Sequence, residues 1–334
     1  ISPADQSKLL YLPKQLALSH HIFRELPKLL RNDDVLIFNR TGVSNRRLYL
    51  KRQNGSQVET VFLSEVDHPS IWRAMIRKAG RLKQDEILSL GDVLFQVKGR
   101  DDALVILEAV DSMQMLQPRW QSLTEAEQFF TAFGQPPIPP YLNRTAEDID
   151  FQRYQTVYAD AIKKSVAAPT AGLHFTPALL QEIEGQFDTG YVNLTIGYGT
   201  FAPLQEHNFN ENSLHTEQFT IPEVTADLIN TARHQKRRIV AVGTTTLRAI
   251  ESVYRKENET IKPGSYSTDI FIYPPDTVKS CQALITNFHL PASSLFLLVC
   301  AFGQSKRLQD AYACAIASHY RFYSYGDAML IEAP

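Results

Sequence analysis

Five short segments of the sequence combine small residues with polar side chains that could bind or transform a small molecule. In the first, residues 167–176, Thr170 and Gly172 precede His174, and Thr176-Pro177 is typical of a helix start. Small residues let a ligand approach the backbone, and the dipole at a helix N-terminus lowers an imidazole pKa and favours anions. His174 is therefore a candidate acid/base catalyst. A hydrogen-bonded core histidine fits the pattern equally well.

The second and third segments lie between residues 195 and 217. TIGYGTF at 195–201 indicates a loop that admits a ligand, although so short a pattern is more often a plain turn. Its candidate binding residues are Gly197, Gly199 and Thr200. Further on, His215 and Glu217 are two residues apart, so on a strand they would share one face and could form an acid/base pair. A surface pair without a catalytic role is the alternative. No second pair accompanies them, which argues against zinc.

The fourth segment, VAVGTTTLR at 240–248, predicts a strand, a tight turn and a helix. Ligands of open α/β sheets bind at such strand ends, and the turn amides would suit a carboxylate or a phosphate. Its candidate binding residues are Gly243, Thr244, Thr245 and Arg248. Arg248 lies one helical turn before Glu251, so the two could simply pair. Neither the G-x-G-x-x-G pattern nor the Walker lysine is present, which excludes those two nucleotide-binding motifs.

The fifth segment has two parts near the end of the chain. LITNFHLP at 284–291 runs from a predicted strand into a polar turn that carries Asn287 and His289. YRFYSYGDAM at 320–329 places Arg321, Tyr325 and Asp327 among four aromatic residues. An aromatic-rich segment with an arginine can hold an adenine or a flipped base.

These segments need a framework of alternating strands and helices. Strands are predicted at 34–38, 192–196, 238–242, 269–273 and 283–286, and helices at 22–30, 176–184, 225–235, 246–255 and 306–319. Residues 47–110 instead carry short alternating segments separated by turns, which is typical of a small β-barrel. The predicted fold is a layered α/β main domain formed by residues 1–43 and 136–334, with an inserted β-barrel domain at 44–135.

Composition limits the partners and the cellular location. The 334 residues have a net charge of −2, so a nucleic acid would have to meet a local basic patch. Three cysteines without metal spacing predict reduced thiols in a cytoplasmic protein, and the apolar stretch 290–302 is too short and broken to cross a bilayer. No signal peptide is predicted, and a monomer is expected.

Three groups of basic residues could form such a patch. One follows Asn39 and comprises Arg40, Arg46, Arg47, Lys51 and Arg52. The others are Arg233, Lys236, Arg237 and Arg238, and Lys306 with Arg307. A solvated surface is the simpler interpretation of the second group.

Taken together, the motifs resemble the S-adenosylmethionine:tRNA ribosyltransferase-isomerase family. The similar blocks are IPPYLNR (138–144), APTAGLHFT (168–176), GYGTF (197–201), HTE (215–217), VGTTTLR (242–248), TNFHLP (286–291) and YRFYSYGDAML (320–330). The N-terminal third is less similar, since Arg40 and Gly42 stand where the family has Asp and Arg. Smaller departures are Thr195 for His, Ala202 for Arg and Pro275 for Gly. The family also has about twenty residues before the position of Ile1.

The resemblance implies a reaction in which the ribosyl part of S-adenosylmethionine moves onto 7-aminomethyl-7-deazaguanine at the tRNA wobble position. The ring rearranges to an epoxycyclopentanediol, and adenine and methionine leave. S-adenosylmethionine is then a substrate, and no metal or prosthetic group is required. A base must remove a proton from the carbon next to the sulfonium, and His174 or His289 is favoured because small or apolar neighbours could exclude water. His215, Glu217 and Asp327 complete the catalytic candidates. Asn39 and the basic residues that follow it, from Arg40 to Arg52, are the candidate tRNA contacts.

Two other functions remain open. An S-adenosylmethionine-dependent methyltransferase would need a glycine-rich loop after its first strand, which is not visible. A catalytically altered tRNA-binding paralogue would explain the changed stretch at 39–48.

Overall fold

The computed structural model describes residues 3–111, 117–161, 163–197 and 204–334. The chain divides into two compact units. The α/β unit comprises Ile1–Gly42, Gln155–Ile162 and Ala168–Pro334, and the barrel unit comprises Val43–Tyr154 and Lys163–Ala167. The predicted combination of a layered α/β part and a small β-barrel is confirmed. The domain bounds drawn from the sequence stay a prediction.

Nine strands of the described α/β unit form one mixed sheet. They are β1 (Lys8–Leu12), β2 (Ser19–Ile22), β3 (Val35–Asn39), β12 (Asp188–Leu194), β13 (Ser213–Ile221), β14 (Ile239–Val242), β15 (Gly264–Ile270), β16 (Ala283–Asn287) and β17 (Ala328–Glu332). Their order across the sheet is β15-β13-β12-β3-β14-β16-β17-β1-β2. Every residue of β3, β14, β16 and β17 is buried, as expected for strands covered on both faces.

Helices cover the two faces of this sheet. They are α1 (Leu26–Leu29), α4 (Pro177–Gln186), α5 (Glu206–Glu211), α6 (Glu223–His234), α7 (Thr244–Lys256), α8 (Ser294–Gly303) and α9 (Ser305–Ala317). Leu36 and Phe38 of β3 share a core with Leu179 and Ile183 of α4. The intervening Ile37 faces the side of the sheet where α6 packs. As the sequence predicts, the Thr176 side chain caps α4 by accepting a hydrogen bond from the Leu179 amide.

Strand direction decides which loops meet. The neighbours β12, β3, β14 and β16 are parallel, so their carboxyl ends lie along one side of the sheet, termed here the carboxyl edge. β17 runs antiparallel to β16, and β1 runs parallel to β17. The residues that precede β1 and β17 therefore lie at the carboxyl edge too. The opposite side is termed the amino edge.

A buried ion network closes the amino edge. The Arg238 guanidinium donates from Nε and Nη2 to the two carboxylate oxygens of Asp34, at 2.8 and 2.5 Å, and from Nη1 to Glu332. Asp34 is fully buried, and Arg238 and Glu332 are nearly so. Arg238 directly precedes β14, Asp34 directly precedes β3, and Glu332 ends β17. The network therefore fixes three strands that are remote in sequence.

The barrel unit is built around a closed six-stranded barrel. Its strands are β5 (Arg47–Arg52), β6 (Gln57–Val66), β7 (His68–Ile76), β8 (Ile87–Leu90), β9 (Val93–Asp101) and β10 (Leu104–Asp111). Two short strands, β4 (Gly42–Val43) and β11 (Lys163–Ser165), form a separate pair, and the helices are α2 (Leu123–Phe133) and α3 (Asp148–Arg153). Phe62, Trp72 and Phe95 fill the interior together with Phe129 and Phe130 of α2.

Strand β7 was not predicted from the sequence, although its burial alternates regularly from Ser70 to Ile76. In the part of the chain that the structure describes, no helix has both the length and the hydropathy needed to span a membrane.

The ion network predicts an asymmetric response to two adjacent substitutions. Asp34→Ala leaves part of the buried Arg238 charge uncompensated and should lower the free energy of unfolding by about 3 kcal/mol. Asp33→Ala, at an exposed neighbour, should change it by less than about 0.5 kcal/mol. Urea unfolding of both variants measures the difference. Equal effects would show that the network does not stabilise the α/β unit.

Candidate active site

The carboxyl edge gathers most of the polar residues that the sequence singles out in the α/β unit. Asn287 ends β16, Gly243 follows β14 and Asn39 ends β3. Glu217 lies on β13, next to the end of β12, and Asp327 directly precedes β17. Asn39, Gly243 and Asn287 share this edge because their strands are parallel. Glu217 and Asp327 reach it from β13 and β17, which run antiparallel to β12 and β16.

His174 ends a short 3-10 helix, Thr170–His174, and its side chain is buried. Its Nδ1 lies 2.7 Å from Ser7 Oγ, and its ring stacks on Phe23 with centroids 4.9 Å apart. Ser7 Oγ also lies 3.2 Å from the Ala4 carbonyl oxygen. When the single hydroxyl hydrogen of Ser7 points to that carbonyl, the ring must carry its proton on Nδ1. Nε2 then presents a lone pair.

The other ring nitrogen of His174 is available for a substrate. Nε2 is buried and makes no hydrogen bond of ordinary geometry among the described residues, although the Asn287 side chain interacts with the ring. Burial lowers the pKa of His174 to about 4, while the Asp327 charge and the Asn287 side chain act in the opposite direction. The imidazole is therefore neutral at pH 7, as a general base must be before it accepts a proton.

Asn287 supplies a second unsatisfied acceptor beside this ring. Its Nδ2 donates to the carbonyl oxygens of Tyr323 and Ser324, at 3.1 and 3.3 Å. Its Oδ1 is buried without a partner among the described residues. A buried acceptor left unpaired is costly. Nε2 of His174 and Oδ1 of Asn287 are therefore suited to donors of a bound ligand.

His289, the other favoured base, has a different environment. Its Nε2 lies 2.8 Å from Thr286 Oγ1, and its backbone amide donates to the Tyr312 hydroxyl at 2.9 Å. Burial lowers the pKa of His289 to about 4 as well. Because Nε2 already contacts a hydroxyl, this ring is less available to a substrate than that of His174.

Asp327 is held by several donors. Its Oδ1 accepts from the Lys8 amide at 2.9 Å and from Arg321 Nη2 at 2.8 Å, and its Oδ2 accepts from the Arg321 amide at 2.8 Å. Burial alone would raise the pKa of this carboxyl, but these hydrogen bonds outweigh it and lower the pKa. Asp327 is thus an ionised group that stabilises a positive charge on His174. Tyr325 of the same segment is half-buried.

Glu217 and Arg248 form a buried pair on the other side of Gly243. Arg248 Nη1 donates to Glu217 Oε2, and the Gly197 amide lies 3.4 Å from Glu217 Oε1. Nε and Nη2 of Arg248 are buried without hydrogen-bond partners in the described part of the chain. Arg248 therefore pairs with Glu217 here, and Glu251 pairs with Arg255 instead. The unsatisfied side of the guanidinium is suited to a carboxylate.

The sequence predicts that His215 and Glu217 share one face of a strand, but the structure separates their side chains. His215 is exposed whereas Glu217 is buried. The pairing of β13 with β15 shifts in register between Ser213 and Glu217, and this irregularity interrupts the alternation of faces that the prediction assumed.

The small residues of the site have distinct roles. Gly172 is required by packing, since a Cβ there would lie 2.0 Å from the Tyr158 hydroxyl oxygen. Gly243 has a φ of 94°, which favours glycine. Thr244 and Thr245 are buried in the first turn of α7, and Thr170 is half-buried. Gly199 and Thr200 lie outside the described residues.

The predicted tRNA contacts are mostly engaged within their own units. Asn39 is fully buried, and Arg40 pairs with Asn193 at 3.2 Å and with Asp160 at 3.8 Å. Arg46 and Arg47 are almost fully buried. Arg46 pairs with Glu127 and lies over the Trp72 ring, and Arg47 pairs with Glu59. Arg52 pairs with Glu86, while Lys51 is exposed. Burial leaves Arg46 and Arg47 without a guanidinium for a phosphate.

Sequence reasoning missed Ser7 and Tyr158. Ser7 precedes a short apolar strand and carries no motif, so its contact with His174, 167 positions away, had no local signal. Tyr158 is not in any of the segments singled out above, and only the structure shows its hydroxyl against Gly172.

Buried neutral histidines make stability sensitive to acid. Their folded pKa of about 4 lies below the ordinary 6.5, so the unfolded chain binds protons first and stability falls as the pH drops from about 6.5 toward 4. His174→Asn should reduce the loss of unfolding free energy between pH 6.5 and 4.5 by about 2 kcal/mol. Denaturant titrations at both pH values measure it. The exposed control His234→Asn should keep the full loss, and an unchanged loss in His174→Asn would contradict the assignment.

The chain is similar to known proteins over nearly its whole length. The family model described as "Queuosine biosynthesis protein" matches residues 1–331. Proteins called S-adenosylmethionine:tRNA ribosyltransferase-isomerase from Synechococcus elongatus and Thermus thermophilus are each 40% identical over 99% of this chain, covering 90% and 94% of their own lengths. The crystal structure of S-adenosylmethionine tRNA ribosyltransferase from Thermotoga maritima is similar with a TM-score of 0.52 and 29% identity, over 99% of this chain and 94% of that one. The chain belongs to the queuosine biosynthesis protein family.

Proposed function

We propose that the chain is an S-adenosylmethionine:tRNA ribosyltransferase-isomerase. It transfers the ribosyl group of S-adenosylmethionine to 7-aminomethyl-7-deazaguanine at the tRNA wobble position and isomerises it to the epoxycyclopentane of epoxyqueuosine. Adenine and methionine are released. The family membership and the shared name of relatives that match nearly the whole chain support this reaction. The observation that carries it is the buried, neutral His174 with an unpaired Nε2 at the carboxyl edge.

His174 acts as the base. Its Nε2 takes the proton from the ribose carbon bonded to sulfur, whose acidity the sulfonium charge raises. The proton makes the ring an imidazolium, which the ionised Asp327 stabilises at a distance while Arg321 and the Lys8 amide hold that carboxylate in place. Ser7 keeps the ring oriented through Nδ1. Asp327 therefore acts through the charge of His174 and not on the substrate itself.

Arg248 binds the methionine carboxylate. Two N–H groups on one guanidinium match two carboxylate oxygens, and the pairing would satisfy the buried Nε and Nη2. Glu217 holds the guanidinium from its other side. The amides of the Gly243 turn, at the start of α7, add a positive potential for the same group.

The altered stretch after Asn39 is compatible with this activity. Arg40, which replaces an acidic family residue, finds Asp160 and the Asn193 side chain within the same unit. The positive charge of Arg40, at a position where the family is acidic, is thus balanced by Asp160. This argues against the interpretation of the chain as an inactive paralogue. S-adenosylmethionine serves as a substrate without a prosthetic group, tRNA is the partner, and the enzyme works as a cytoplasmic monomer.

Product analysis tests the reaction class. The protein is incubated with S-adenosylmethionine and tRNA that carries 7-aminomethyl-7-deazaguanine, and the bases and nucleosides are separated by chromatography and mass spectrometry. Adenine release that depends on this tRNA is expected, and tRNA with unmodified guanine is the control. S-adenosylhomocysteine would indicate a methyltransferase, and tRNA binding without either product would indicate an inactive paralogue.

The assignment of Arg248 predicts a selective change in KM. Arg248→Lys keeps the charge but loses the two-pronged geometry, so the KM for S-adenosylmethionine should rise by about 10-fold or more while the KM for tRNA stays the same. Steady-state adenine release measures both constants, and thermal unfolding verifies the fold. Arg255→Lys, a paired arginine at the other end of α7, serves as the matched control. An unchanged KM for S-adenosylmethionine in Arg248→Lys would refute the assignment.

A further inference from the structure

A second concave site lies at the amino edge of the α/β unit, on the opposite side of the sheet from the candidate active site. The cavity has a volume of about 440 Å³ and is termed here the distal basic pocket. Its six cationic side chains are Lys14, Arg31, Arg233, Lys236, Arg237 and Arg238. Glu332 is the carboxylate side chain that borders it within the described residues, and Pro334 lies at its rim.

Three of these cations are committed to the fold. Arg238 is buried in the network with Asp34 and Glu332. Arg31 lies 3.1 Å from the same Glu332 carboxylate, which also accepts from the Lys14 amide and the Tyr11 hydroxyl. Arg237 pairs with Asp188 at 2.6 Å. The carboxylates of Asp34, Asp188 and Glu332 are thus neutralised by these arginines.

The other three cations have no carboxylate partner among the residues that the structure describes. Lys14 and Lys236 are exposed. Arg233 is held rigidly, because its guanidinium lies 4.4 Å from the centroid of the Tyr254 ring and donates to the Tyr254 hydroxyl at 2.8 Å. Like charges that converge on one cavity repel each other, and a bound anion offsets that repulsion.

The donors define the chemistry of this anion. A positioned guanidinium with two flexible ammonium groups suits the tetrahedral, multiply charged phosphate group. The volume can hold a diphosphate or neighbouring phosphates of a nucleic-acid backbone. We propose that the distal basic pocket binds phosphate groups, supplied by the tRNA backbone or by a free phosphate anion.

The location separates this pocket from the chemistry. The four residues of β14 and the turns at its ends put roughly 15 Å between Arg238 and Gly243. A phosphate at the amino edge therefore cannot belong to the reacting nucleotide, and a backbone phosphate there would anchor a more distant part of the tRNA. This source rests on the proposed function, whereas binding of a free anion does not.

The double variant Lys14→Gln/Lys236→Gln tests the proposal. It removes the two exposed ammonium groups, and Lys256→Gln/Lys262→Gln removes the same charge from two exposed positions elsewhere in the unit. Inorganic pyrophosphate binding is measured by calorimetry, and tRNA binding by fluorescence anisotropy across a range of salt concentrations. Adenine release at saturating tRNA verifies that the active site is intact, so a failure of the proposed function is seen separately.

The expected result is a loss of pyrophosphate affinity of about 5-fold or more in the pocket variant, with the control variant unchanged. Weaker tRNA binding, with the slope of the logarithm of the binding constant against the logarithm of salt concentration reduced in magnitude by about 1 or 2, would identify the tRNA backbone as the source of the bound phosphate. Lost pyrophosphate affinity with unchanged tRNA binding would identify a free anion. If the pocket variant and the control bind both probes alike, the proposal is wrong.

Discussion

The side-chain amide of Asn39 is the interaction on which the candidate site depends. Its Oδ1 accepts from the amides of Thr41 and Leu194, at 3.2 and 3.0 Å. Its Nδ2 donates to the Leu194 carbonyl at 3.1 Å and to Thr245 Oγ1 at 3.4 Å. One fully buried amide thus joins the ends of β3 and β12 to the first turn of α7. Since all its hydrogen-bonding groups are used, a shift of any of these elements would leave a buried polar group unpaired.

A second constraint brings the two ends of the described chain to the same place. Because β17 reverses direction relative to β16 and β1 runs parallel to β17, Ser7 and Asp327 reach the carboxyl edge where His174 lies. Ser7 contacts Nδ1 of the ring, Asp327 supplies negative potential, and the Phe23 ring stacks on the imidazole. The buried ion network of Arg238 holds the ends of β3, β14 and β17 at the amino edge. His174, the proposed base, is therefore positioned by long-range strand pairing rather than by its own loop.

The sequence predicted those parts of the fold and the site that have local signals. Apolar runs marked β3, β14 and β16, and Thr176-Pro177 marked the start of α4. Glu217 and Arg248 were identified as separate candidates, but their pairing depends on the registry of β13 and the start of α7. β1 and β17 were not predicted as strands, so the strand pairing that brings Ser7 and Asp327 to His174 could not be predicted either. The basic residues at 46–52 predict a phosphate-binding patch, but in the folded barrel unit Arg46 and Arg47 are buried.

Proton abstraction by His174 is the central claim, and isotope exchange tests it most directly. S-adenosylmethionine that carries deuterium on the ribose carbon bonded to sulfur is incubated with the enzyme and with tRNA bearing the modified base. Deuterium in the ribosyl group of the product and in recovered substrate is followed by mass spectrometry. The account predicts deuterium loss with the wild type and with His289→Asn, and none with folded His174→Asn. Deuterium loss at the wild-type rate in His174→Asn would contradict it.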